Sequence, residues 1–94
     1  MKSFITPPLW RAPVKVSDTP GPSSDPIIAT DSDGGIHLVW MGEGEGQLNS
    51  EIYYRQGDGV NWASTINLSH SLTSSYGPDM AIDTEGRVHV VWAE

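Results

Sequence analysis

The 94 residues include twelve acidic and five basic side chains, a formal net charge of −7, and no cysteine. A chain of this size is one small domain that buries roughly 60–65% of its unfolded surface. With no disulfide to supplement the core, association with other copies is the remaining common source of stability. The charge excludes nucleic acid and anionic membrane surfaces as partners, because both call for clustered Lys and Arg, and Lys2, Arg11, Lys15, Arg55 and Arg87 are scattered.

In chain order, the first ten residues, MKSFITPPLW, lack the apolar stretch of a signal peptide, which fits a cytosolic chain or one whose signal has been removed. No apolar run reaches the ~20 residues of a membrane span. Residues 3–6 and 12–17 read as two short strands. PIIAT (26–30) and IHLVWM (36–41) flank an Asp/Gly-rich turn, DSDGG, the pattern of a hairpin. Pro26 and Pro78 are expected at the first position of their strands, where a missing N–H does least harm. A polar loop, GEGEGQLNS, leads to EIYYRQ (51–56), and a GDG turn leads to STINLS (64–69). The whole reads as an antiparallel meander of four strands, with a second hairpin beginning near residue 77. No segment has a helical period.

The chain repeats itself. DPIIATDSDGGIHLVW ends at Trp40 and GPDMAIDTEGRVHVVW ends at Trp92, and the same offset of 52 residues pairs Trp10 with Trp62, Ser23 with Ser75, Asp31 with Asp83, and His37 with His89. The offset is close to the ~40–50 residues of a propeller blade. In that register residues 1–18 supply the last two strands of one blade, 19–70 a complete blade, and 71–94 the first two strands of the next. Half a blade at each end leaves open edges, which favour pairing between copies.

The pattern P-x-I-A-x-D-x-x-G-x-x-H-V-V-W, followed by EIYYR and a D-G-x-x-W turn, resembles the blades of sialidase-like, BNR/Asp-box-type β-propellers. The stretch QGDGVNW keeps the Gly59 and Trp62 of the family's Asp-box but has Gly57 where its Asp stands. The resemblance implies an all-β fold of about two four-stranded blades per chain, closed into a ring by homo-oligomerisation. Six blades from a trimer are favoured, and eight from a tetramer come second. It implies a non-catalytic binding module of lectin-like type, with a structural or engineered fragment selected only for assembly as the alternative. Sialidase chemistry needs an arginine cluster at a central channel; Arg11 and Arg55 fall at the blade periphery and Arg87 in a turn, so no catalytic residue is assigned.

His37 and His89 recur on equivalent strands and read as structural hydrogen-bonding groups rather than metal ligands. Asp31, Asp33, Asp83 and Glu85 belong to tight turns, since the rest of a calcium loop is absent. Trp40 and Trp92 read as packing residues between sheets; Trp10 and Trp62, at turns, are open to packing or to a ligand. No metal or cofactor is expected. The expected ligand-binding residues are Ser24, Asp25, Ser75, Tyr76 and Asp79, on loops held by a rigid scaffold. The partners expected are further copies of the chain and a carbohydrate or another polar small ligand.

Overall fold

The computed structural model describes residues 13–43 and 49–94. The strand expected at residues 3–6, together with Trp10 and Arg11, lies outside them; residues 13–17, expected as most of a second strand, run without strand pairing. Four strands, β1 (Ser23–Thr30), β2 (Ile36–Glu43), β3 (Ser50–Gly57) and β4 (Ile66–Asn67), form one antiparallel sheet in chain order. Two more, β5 (Tyr76–Ile82) and β6 (Val88–Ala93), form a separate antiparallel pair.

Each hairpin is built by the same local chemistry. Asp31 and Asp83 close their turns through backbone bonds to Gly35 and Arg87, and Gly34 and Gly86 supply the positive φ (84° and 81°) that those turns require. The prolines are not at the strand starts, as the sequence suggested. Both strands begin earlier, and Pro26 and Pro78 sit in bulges where the register slips, between Ser24 and Ile27 and between Tyr76 and Asp79. A bulge leaves a residue out of the ladder, so a missing N–H costs nothing there. The preceding residue turns left-handed in both cases, at Asp25 (φ 53°) and Gly77 (φ 63°).

The fourth strand is only two residues long, because side chains take over the ladder on either side of it. The Ile52 N–H donates to Ser69 Oγ at 3.0 Å instead of to a carbonyl, and the Thr65 hydroxyl turns away to Asp18 Oδ1.

Alternation in register divides the four-stranded sheet into two sides. Ile27, Ala29, His37, Val39, Ile52 and Tyr54 share one side, and β5 packs against β1, β2 and β3 there. Val88 and Val90 meet Tyr54 and Ile66 around a gap of about 250 Å³. Ile28, Ile36, Leu38, Trp40, Glu51 and Tyr53 share the other side. The segment before β1 crosses it, pinned by Arg55 Nη1 donating to Val16 O at 2.6 Å and by Trp40 Nε1 reaching Thr19 Oγ1 at 3.5 Å. The core is Val39, Trp40, Ile52 and Tyr53, with Trp40 stacked on Tyr53 at 6.0 Å between ring centroids. Trp40 packs as a core residue, but against the segment before β1 rather than between sheets as expected, while its counterpart Trp92 is half-buried and donates to Glu94 Oε2 at 2.9 Å.

The expected sialidase-like β-propeller is not what these strands form. The described residues make one four-stranded and one two-stranded sheet, neither of which curls or closes. The six-bladed trimer, the eight-bladed tetramer and the ring-borne lectin-like binding module that depended on them fall with that architecture. The 52-residue repeat is real, but it is a repeat of one hairpin: bulge, Asp turn, His and Trp. Those features dictate local backbone geometry and carry no information about closure.

Candidate functional site

Asp31 sits at the tip of the first hairpin, and its carboxylate is fully committed. Oδ1 accepts from the backbone N–H of Asp33 and Gly35 at 2.9 and 2.8 Å, and Oδ2 accepts from His37 Nε2 at 2.7 Å. The other ring nitrogen of His37 pairs with the Tyr54 hydroxyl at 2.6 Å, and that hydroxyl donates to Gln56 Oε1 at 3.1 Å. His37, followed by the Gly35 N–H, lowers the Asp31 pKa below its ordinary value. The second hairpin repeats the arrangement. Asp83 Oδ1 accepts from the N–H of Glu85 and Arg87, and Oδ2 accepts from His89 Nε2 and Arg87 Nε at 2.9 and 2.8 Å. His89 and then Arg87 hold that carboxyl well below the usual range. The recurring Asp and His therefore clamp a turn to the strand that follows it. Both nitrogens of His37 are occupied and its side chain is 6% exposed, so the ring is held in place by Asp31 and Tyr54.

Beside this clamp lies an open hollow of about 430 Å³ lined by Asp31, His37, Gln56, Asp58, Asn61 and Trp62. Trp62 can lie there only because residue 57 is glycine; a Cβ would come within 2.6 Å of the indole. Asp58 folds the turn by accepting from the N–H of Asn61 and Val60 at 2.7 and 2.9 Å, which lowers its pKa in that order of effect.

The expected ligand-binding residues do not gather around one cavity. Ser24 pairs with Met41 in the ladder and borders a groove of about 360 Å³ under Val14 and Val16. Asp25 is exposed on the first bulge. Ser75 is fully buried, and its Oγ has no hydrogen-bond partner among the described residues. Trp92 and then Ser71 donate to the nearby Glu94 carboxyl and lower its pKa. Tyr76 is half exposed at the start of β5. Asp79 lies beyond the bulge on the outer side of that strand, where it borders a shallow hollow with Ala81, His89 and Val91.

One buried group went unnoticed in the sequence. Glu51 is 2% exposed, and its carboxylate accepts from Asn67 Nδ2 at 3.0 Å, from Ser71 N at 3.1 and 3.2 Å, and from Asn49 Nδ2 at 3.4 Å. Strand alternation carried a signal, since it puts Glu51 on the same side as Tyr53.

The sharpest asymmetry lies between equivalent positions of the two hairpins. Val39 is 0% exposed, whereas Val91 is 67% exposed. His37 and His89 differ in the same way, at 6% and 61% of the side chain. In the first hairpin this side is covered by β5–β6. In the second, Ala81, His89, Val91 and Ala93 face outward with nothing over them among the described residues.

Comparison with protein-family models, with curated proteins and with solved structures finds no match to this chain. The resemblance to sialidase-like blades thus finds no support there either. The site must be read from its own chemistry.

Proposed function

We propose that this chain is a non-catalytic interaction module that associates with further copies of itself through the outer side of β5–β6. The observation that carries this reading is Val91, 67% exposed at a position whose counterpart, Val39, is sealed in the core. Burying such a side chain is worth about 1.5–3 kcal/mol, and among the described residues nothing covers the second of the two equivalent sites. The inner side of β5–β6 already rests on the four-stranded sheet, which leaves the outer side for another chain. The open edge of β6 among the described residues adds a second place for another chain to join. Asp31 and Asp83 are bonded into turn clamps and Glu51 into a loop anchor, which supports a structural role for these polar groups.

Light scattering coupled to size exclusion, at about 0.15 M salt so that the −7 charge of each copy is screened, tests the reading. The wild-type mass should rise with concentration above one chain, and Val91→Asp should return it to one chain. A wild-type mass fixed at one chain over the whole range refutes the proposal.

A further inference from the structure

The two hairpins also identify the surface that covers the exposed one. Within the chain, the inner side of β5–β6, carrying Met80, Val88 and Val90, packs over the side of the four-stranded sheet that holds His37, Val39 and Tyr54. Moved by the 52-residue offset, Met80, Val88 and Val90 become Ile28, Ile36 and Leu38. These three lie on the far side of the four-stranded sheet, and Ile28 is 65% exposed there. The covered residues Ala29, His37 and Val39 become Ala81, His89 and Val91, which are the open ones. Each chain thus makes one sheet-on-sheet contact internally; among the described residues it leaves the outer half of that contact bare on β5–β6 and, on the far side of the four-stranded sheet, the strip around Ile28 that the segment before β1 does not cover.

From this we infer that copies associate head to tail, the Ile28–Leu38 side of one chain seating on the Ala81–Val91 side of the next. This inference rests on the self-association proposed above and specifies its polarity. The receiving surface is shaped for the task. The segment before β1 narrows the Ile28 side to a strip beside the groove floored by Leu38, with exposed Val14 and Pro26 on its rim. The incoming surface presents small side chains, Ala81 and Ala93, around Val91, so backbones can approach closely. A symmetric contact of the Val91 side on itself has no counterpart inside the chain. It would also oppose two Asp79 carboxylates across a desolvated surface, where like charges repel most. A head-to-tail contact is heterologous, so it propagates beyond two copies.

Two variants, each blocking one end, test the polarity: Val91→Asp and Ile28→Asp. Both positions are exposed within one chain, so circular dichroism should match the wild type; Val91→Lys and Ile28→Lys replace any variant whose spectrum does not. In sedimentation velocity, wild type should give species larger than two chains, and each variant alone should remain a single chain. An equimolar mixture should form a species of two chains and no more, because the intact Val91 side of one variant accepts the intact Ile28 side of the other and both remaining ends are blocked. If Ile28→Asp forms dimers by itself and mixing adds nothing, the contact is symmetric and this inference is overturned while self-association stands. If both variants assemble as the wild type does, the surfaces are wrong. A monomeric wild type overturns the self-association and its polarity together.

Discussion

Replacing Glu51 with Gln keeps the shape of the side chain and changes only its bonding, which makes the cost calculable. In the native arrangement Ser71 N lies within bonding distance of both carboxylate oxygens, Asn67 Nδ2 bonds Oε2, and Asn49 Nδ2 approaches Oε1. Whichever way the new amide is turned, its NH2 meets a donor. One charge-assisted bond worth about 1.5–3 kcal/mol is lost, part of it offset because a charge no longer has to be buried. We expect a net loss of about 2 kcal/mol. A 94-residue chain at 0.05–0.15 kcal/mol per residue has about 5–14 kcal/mol in total, so this is a large fraction. Urea unfolding followed by tryptophan fluorescence should show the midpoint falling by about 1–2 M at an m-value near 1–2 kcal/mol/M. A midpoint within about 0.3 M of wild type would refute the view that Glu51 anchors the 67–71 loop to β3.

Two further outcomes follow from the same geometry. Val39→Ala should cost about 2 kcal/mol by opening a cavity in a sealed core, whereas Val91→Ala should change the unfolding free energy of the single chain by no more than about 0.5 kcal/mol; chemical denaturation at low protein concentration separates them. Asp31 and Asp83 have folded-state pKa values below their ordinary 3.8, so each contributes stability that is present above pH 3.8 and lost as pH falls towards the folded value. The melting temperature should therefore drop as pH is lowered from 5 to 2.5, and Asp31→Asn should flatten that dependence; an unchanged acid limb in the variant would contradict the clamp.

Much of the local structure was legible because it depends on residues close in sequence. The hairpin between PIIAT and IHLVWM follows from an Asp and a Gly at fixed offsets, and the recurring His finds its partner only six residues away. The two bulges were less visible, since Pro26 and Pro78 fit a strand start as well as a bulge and only the left-handed Asp25 and Gly77 decide between them. STINLS looked like a full strand, but its polar residues turned out to bond Asp18 and the backbone of β3 in place of ladder partners. The burial of Glu51 depends on a loop twenty residues away folding back over it. The propeller expectation failed for a related reason. A repeat specifies what each hairpin does to its own backbone, whereas closure depends on contacts that no single hairpin encodes. The interaction surface, by contrast, needed both sequence and structure. The repeat pairs Val39 with Val91, and only the structure shows one covered and the other bare.

Hydrogen exchange measured by mass spectrometry over a range of protein concentrations bears most directly on self-association through the outer side of β5–β6. In a single chain that pair is the less supported sheet, and its amides should exchange at the fast end of the range. Our account predicts that protection of Met80–Ile82 and Val88–Ala93 rises with concentration while the amides of β3 change little, and that Val91→Asp removes the rise. Protection of β5–β6 that is the same at every concentration, in wild type and variant alike, would contradict it.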